Sequence, residues 1–159
     1  MDINDFVERL KDECPSLNNK VFVVSDFDIE MPTSIQPPYA FVIQMHEDGG
    51  DITNGKLNQR GYSQEMTGQI GVVIAVKSVK DLRGAENNNL LQEIRAETHE
   101  ALRGWHAPGT TARVTFMAGK ATYYKNLTTY WSDVFQTKFI FKTYYNAMHK
   151  MKNEFKLLP

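Results

Sequence analysis

The chain has 159 residues, of which 42% are hydrophobic and 23% are charged, and its formal net charge is −1. This length favours one domain around a single core, and the near-zero charge provides no global field that would draw the protein to nucleic acid or to an anionic membrane. The single cysteine excludes an intramolecular disulfide and fits a reducing compartment. No stretch approaches the roughly 20 apolar residues of a membrane span, and the acidic N-terminus is unlike a signal peptide.

The first predicted element is a short helix over Asp2–Cys14, because apolar residues recur there at helical spacing. Asp2 can cap its start and Pro15 ends it. Its apolar stripe comprises Ile3, Phe6, Val7, Leu10 and Cys14. Cys14 lies at the C-terminal end, where the helix dipole opposes a thiolate, so we interpret this thiol as a core residue rather than a nucleophile.

Two strands separated by a loop are predicted next. A β-branched and aromatic run predicts the first strand over Lys20–Val24. Three prolines leave no periodic pattern in Ser25–Pro38, which we interpret as a loop. Residues Tyr39–Met45 are apolar on both faces and therefore predict a central strand.

A second long loop is predicted over His46–Gly61, which contains four glycines and the turn dipeptide Asn54-Gly55. Loops of this length in a compact domain are usually functional or disordered. The loop carries charges of both signs, which suit contact with another protein surface rather than packing in a core. The candidate contacts are Glu47, Asp48, Asp51, Lys56 and Arg60. A calcium loop is disfavoured, since the acidic residues lack the ligand count and spacing of such a site.

Strict alternation of side chains over Tyr62–Lys77 predicts a long strand. One face needs a core and comprises Met66, Gly68, Ile70, Val72, Ile74 and Val76. The other face, from Thr67 to Ala75, is small and only half polar. We therefore expect it to contact something other than water.

The most informative stretch is Asn88–Gly109, which predicts an amphipathic helix and its exit. The apolar stripe comprises Leu90, Leu91, Ile94, Thr98, Ala101, Leu102 and Trp105. Asn89 can cap the start with Gln92 bonding back. Gly104 can take the left-handed conformation that ends a helix, and Pro108 prevents its resumption.

Trp105 has two interpretations. It continues the apolar stripe, which favours a core residue that closes the helix end over the sheet. It can also anchor a subunit contact, since tryptophan is enriched at interface hot spots. We include it, with the adjacent His106, among the candidate contacts.

The C-terminal third is predicted to be rich in β-structure. A strand over Thr111–Ala118 is followed by a turn at Gly119-Lys120 and a strand over Ala121–Lys125. Residues Tyr130–Tyr145 predict a long aromatic strand. One face of that strand comprises Trp131, Phe135, Thr137, Phe139 and Phe141. Residues Asn146–Pro159 are basic and predict either a short helix or a mobile tail.

Together these elements predict an α+β fold: a single domain over residues 1–145, followed by the basic segment 146–159. One mostly antiparallel sheet of roughly five to seven strands would carry both helices on one face. The candidate core residues are Leu91, Ile94, Leu102, Phe135 and Phe139.

No constellation of residues indicates an enzyme, a cofactor or a metal. The four histidines do not fall at metal-ligand spacing, and the sequence contains neither a phosphate-binding glycine motif nor a nucleophile elbow. Basic and aromatic residues alternate from Lys142 to Lys156, and such a segment can bind nucleic acid or dock on an acidic neighbour. A small α+β domain that binds a ligand or nucleic acid therefore stays open as an alternative.

The segment Ala101-Leu102-x-Gly104-Trp105, followed by Pro108 after a helix and before a strand, resembles the tail terminator proteins of tailed bacteriophages, especially those of Mu-like and lambda-like phages. The order of elements extends the resemblance over most of the chain and includes a Pro-Pro-aromatic start of a strand at Pro37–Tyr39. The proline lies one residue further from the tryptophan than in the family pattern.

The resemblance implies a structural virion protein, assembled in the host cytoplasm, that forms a sixfold ring on the last ring of the tail tube. It would cap tube growth, present its other side to the head–neck connector and, in a contractile phage, meet the sheath. DNA would only pass through the lumen. Capping has a physical basis, because a head-to-tail interface that closes into a ring stops where a helical one continues. A neck or tail-completion protein of the same assembly is the alternative.

Overall fold

The computed structural model describes residues 1–24, 35–53, 61–77, 85–125 and 127–144. The elements within these ranges are α1 (Ile3–Glu13), β1 (Val21–Val24), β2 (Tyr39–Thr53), β3 (Gly61–Lys77), α2 (Ala85–Leu102), β4 (Thr115–Lys125) and β5 (Thr128–Tyr144). A 3-10 turn over Pro15–Leu17 follows α1. Neither described helix is long and apolar enough to cross a membrane.

The five strands form one sheet in the order β1-β2-β3-β5-β4. The pair β1–β2 is parallel, and the pairs β2–β3, β3–β5 and β4–β5 are antiparallel. This arrangement confirms the predicted α+β fold with a mostly antiparallel sheet. The basic segment 146–159 lies outside the described residues, as do the residues 25–34 of the first predicted loop.

Both helices pack on one face of the sheet and share one core. Asp2 caps α1 by accepting a hydrogen bond from the backbone N–H of Asn4 at 2.9 Å. The core combines apolar residues of both helices with the inward side chains of β2, β3 and β5. Its members include Phe6, Leu10, Cys14, Ala40, Val42, Ile70, Val72, Ile74, Val76 and Val114. The five candidate core residues are all buried: Leu91, Ile94, Leu102, Phe135 and Phe139.

Helix α2 begins at Ala85, which is earlier than the predicted start. The capping box predicted at Asn89 and Gln92 is therefore wrong, and the Gln92 side chain instead accepts a hydrogen bond from Arg95 Nη1 at 3.3 Å. The physical reason is that alanine and glutamate favour the helix even where no apolar stripe marks it. The predicted exit is correct, because Gly104 has a positive φ of 76°.

The predicted loop over His46–Gly61 is wrong, because most of it is strand. β2 continues to Thr53, and β3 pairs with it from Ser63 onward. The pairing shifts between Gly49 and Ile52, and such an irregularity accommodates extra residues that break the alternating pattern. Glycines and charges are depleted in strands, so the composition of this stretch indicated a loop. Residues 54–60, including the predicted Asn54-Gly55 turn, lie outside the described residues.

The turn predicted at Gly119-Lys120 is also wrong, because β4 is one strand from Thr115 to Lys125. Gly119 lies opposite Asp133 of β5, and a Cβ on Gly119 would clash with the Asp133 carboxylate. The glycine therefore serves a close approach between strands rather than a turn.

A second, smaller cluster lies on the sheet face opposite the helices. It comprises Tyr39, Phe41, Val73, Ala75 and Tyr130, and Ile35 packs against it. The hydroxyls of Tyr39 and Tyr130 lie 3.1 Å apart, and burial raises the pKa of Tyr39. The chain itself covers Val73 and Ala75, so the expectation that this face contacts something other than water is met there without an outside partner.

Candidate assembly surfaces

Strands β2, β3 and β5 continue past the residues that pair with β1 and β4. Pairing with β1 ends at Ile43, and pairing with β4 ends at Gln136. Residues 46–53, 61–69 and 137–144 then form a three-stranded extension, which we call the arm. Thr111 covers the start of its β5 edge by donating its backbone N–H to the Lys138 carbonyl at 2.6 Å. Beyond that contact, no described strand pairs with the β2 edge or the β5 edge of the arm.

Exposed apolar side chains occur on both faces of the arm. Ile140 is 37% exposed and Phe141 is 53% exposed. Because neighbouring residues of a strand point to opposite faces, each face of the arm carries one of them. The adjacent Lys138 forms a cross-strand ion pair with Glu65 at 2.9 Å. Exposed apolar groups within a charged surface are typical of a protein contact site.

The edge of β2 beyond its pairing with β1 is acidic. Glu47 and Asp48 are both exposed on this strand. Gln44 donates a hydrogen bond to Glu47 Oε1, and His46 Nε2 lies 2.9 Å from Asp48 Oδ1. Two of the predicted contact residues, which are neighbours in the sequence, thus lie exposed on this strand.

Only one of the other three candidate contacts from the predicted loop over His46–Gly61 lies within the described residues. Asp51 lies in β2, and Lys56 and Arg60 lie outside the described residues.

An open cleft lies at the opposite end of the sheet, between the second half of α2 and the start of β4. Its volume is about 920 Å³. The lining residues are Ala96, His99, Glu100, Arg103, Gly104, Arg113, Val114, Thr115 and Phe116. Arg113 is held at the rim, because its Nη1 donates to the Gly104 carbonyl at 2.6 Å.

A buried polar cluster ties α2 to β5 beside the cleft. Asp133 is buried and accepts hydrogen bonds from Arg95, from Trp131 Nε1 at 2.8 Å and at longer range from His99. The Arg95 guanidinium also lies over the Trp131 ring, 4.4 Å from its centre. The sequence reasoning missed Asp133, although it occupies the same alternating face as Trp131 and Phe135. The signal available in the sequence was that Asp133 is an acidic residue on a strand face that otherwise carries mostly aromatic side chains.

The remaining predicted contacts lie at the exit of α2. Trp105 is half-buried and packs edge-on against Phe6, with ring centres 5.1 Å apart, and it lies under the Arg9 guanidinium. Its ring thus joins α1 to the helix exit, as the core interpretation requires. His106 is exposed. The predicted contact residues are therefore divided between the β2 edge and the α2 exit.

Within the described ranges, no group of three or more histidine, cysteine or acidic side chains is placed to hold a metal ion. The sequence matches the family model described as "Phage tail terminator protein" over residues 1–146. The chain belongs to the phage tail terminator family. This match confirms the resemblance derived from the helix exit and the order of the elements.

One solved structure supports the fold of this terminator-family chain. A chain from the "Virion of native gene transfer agent (GTA) particle" superposes with a TM-score of 0.54 at 13% sequence identity, covering 84% of this chain and 90% of that chain. At this identity the likeness shows the shared fold alone. No curated protein matches the sequence.

Family membership makes the chain a structural protein of the phage virion. The surfaces that matter for such a protein are those that meet other virion proteins.

Proposed function

We propose that the protein forms a sixfold ring on the last ring of the tail tube, where it ends tube polymerisation and provides the joining surface for the head–neck connector. Membership of the tail terminator family is the observation that carries this proposal. In a contractile phage the sheath would be a further neighbour, and DNA would pass through the lumen. The protein acts by binding, without a catalytic step, and moves from the host cytoplasm to the virion during assembly.

The geometry of the sheet supports head-to-tail assembly. The sheet ends in two different edges, β1–β2 on one side and β4 on the other. A contact between unlike edges is heterologous, and such contacts make rings when the rotation closes and filaments when it does not. A closed ring on a growing tube ends growth because its outer side does not repeat the surface of the tube.

The arm supports a role in docking. It combines exposed apolar side chains at Ile140 and Phe141 with the charges of Glu47, Asp48 and Lys142. Apolar area contributes affinity when it is buried, whereas complementary charges mainly set partner choice and orientation. A projecting strand group of this composition suits contact with a neighbouring subunit or the tube.

The experiment is complementation of a phage that lacks the native gene. Supplying this chain should restore tails of uniform length, and electron microscopy should show one ring of it at the head-proximal end of each tail. A phage that receives an empty vector is the control and should show tails of irregular length without heads. Finding the protein as a single copy on the tail axis, or absent from purified tails, would rule out the proposal.

A further inference from the structure

We infer that neighbouring copies of this chain meet head-to-tail, with the acidic edge of β2 from one copy against the basic cleft between α2 and β4 of the next. The inference rests on the proposed ring and names the two surfaces that close it. The partner that occupies the cleft is a second copy of the chain, because the chain carries both the acidic edge and the basic cleft.

Charge is segregated between the two ends of the sheet. The β2 edge exposes Glu47 and Asp48, whereas the β4 end exposes Arg103, Arg113 and Lys120. In the part of the chain that the structure describes, none of these three cations lies within ion-pair distance of an acid. Unlike edges therefore attract and like edges repel, which selects a head-to-tail contact over a symmetric one.

The cleft keeps its positive charge although an acid also lines it. Arg103 and Arg113 contribute two positive charges and Glu100 contributes one negative charge, which leaves a fixed charge of +1 at the lining. Phe116 and Ala96 supply apolar surface between these groups. A cleft of about 920 Å³ has room for several side chains of a strand edge.

The cleft is also held in shape before any partner arrives. The hydrogen bond from Arg113 to the Gly104 carbonyl fixes one guanidinium at the rim. The Arg95–Asp133 ion pair fixes α2 against β5 behind it. A surface that is already ordered loses less conformational entropy on binding, so weak edge charges are sufficient to select the partner.

Irregular pairing at both edges favours side-chain contact over extension of the sheet. Register shifts occur in β2 between Gly49 and Ile52, and in β4 between Phe116 and Ala118. Bulges twist an edge and interrupt its row of backbone groups, so they hinder continuous pairing with another strand. Contact through a cleft sets one defined angle between copies, as closure into a ring requires.

The test is disulfide capture between two variants that each carry one introduced surface cysteine. A chain with Asp48→Cys is mixed with a chain with Thr115→Cys, an exposed residue of the cleft lining, and oxidised gently, so that Glu47, Arg103 and Arg113 all remain. The native Cys14 is buried and stays out of the reaction. Mass spectrometry of the bonded peptides should show the mixed dimer in several-fold excess over the dimer that Glu93→Cys, an exposed control on α2, forms with the same Thr115→Cys chain.

Charge exchange then tests whether these side chains attract each other. Adding Glu47→Lys to the Asp48→Cys chain should lower the yield of mixed dimer by roughly two- to fivefold, the effect of an exposed ion pair. Adding Arg103→Glu to its Thr115→Cys partner should restore the yield. Misfolding of either variant cannot produce that rescue.

The outcomes separate this contact from the proposed capping role. A mixed dimer no more abundant than the Glu93→Cys control would overturn the contact, even if the wild-type chain restores normal tails. Strong and rescuable capture in a protein that never enters tails would support the contact and overturn the capping role.

Discussion

Arg95 holds Asp133 through both carboxylate oxygens. Its Nε donates to Oδ2 at 2.9 Å and its Nη2 donates to Oδ1 at 3.0 Å. The Asp133 side chain is fully buried and that of Arg95 is mostly buried. A buried carboxylate is tolerated because its oxygens are hydrogen-bonded, and a bidentate arginine also fixes orientation. This pair therefore sets how α2 sits on β5 and how the cleft is shaped.

Asp133→Ala should lower the free energy of unfolding by about 3 kcal/mol, because it leaves the Arg95 charge without its partner in a mostly buried site. Urea unfolding followed by circular dichroism measures the loss. The control is Glu8→Ala, which removes the surface ion pair with Lys11 and should cost less than about 1 kcal/mol. Equal stabilities for the two variants would show that the Arg95–Asp133 pair contributes nothing beyond a surface pair.

Leu102→Ala should lower the free energy of unfolding by about 2–5 kcal/mol, the usual range for emptying a buried leucine site. Leu102 is fully buried at the end of α2. The same substitution at Leu127, which is 43% exposed, provides the matched control and should stay within about 0.5 kcal/mol of wild type. Thermal and urea melts of both variants give the comparison. An unchanged melting temperature for Leu102→Ala would contradict the packing of α2 described above.

Cys14 should make stability fall in alkali. Burial raises the pKa of its thiol from 9.0 to about 12. Between these two values the unfolded chain loses the proton while the folded chain keeps it, so rising pH favours unfolding. Cys14→Ala should therefore lose less stability than wild type between pH 8 and pH 11, as measured by urea midpoints. Parallel losses in the two proteins would show that the thiol ionises equally well in the folded state.

Removing the end of the arm should separate folding from assembly. Asp48 and Thr67 face each other in the β2–β3 pairing, so Asn-Gly in place of residues 49–66 joins them by a tight hairpin turn. The shortened chain should still unfold cooperatively, because the shared core lies under the two helices. It should fail to restore tails of defined length in a phage that lacks the native gene.

The control for the arm keeps both strands and replaces residues 54–60 with a Gly-Ser segment of equal length, which tests Lys56 and Arg60 separately. Normal tails from the shortened chain would contradict a role of the arm in docking. Loss of cooperative unfolding would show that the arm belongs to the folding unit.

The sequence by itself determined the elements whose buried face is visible in local spacing. Alternation from Ile70 to Val76 predicted the central strand, and spacing of three and four from Leu91 to Leu102 predicted the inner stripe of α2. Together with the capped first helix, these patterns were enough to predict the α+β class. Burial of one face selects apolar residues at every second position of a strand or along one side of a helix. The resulting spacing can therefore be seen within a short stretch of sequence.

Only the tertiary structure decided which residues share an edge or a contact. Gly49 is a poor strand residue, and it lies in a strand because it pairs with Met66 of β3. Glycine occupies position 119 of β4 because a Cβ there would clash with the Asp133 carboxylate. The acidic edge and the basic cleft lie at opposite ends of the sheet because the strand order is β1-β2-β3-β5-β4. That order depends on pairing between residues far apart in the chain, which local spacing does not encode.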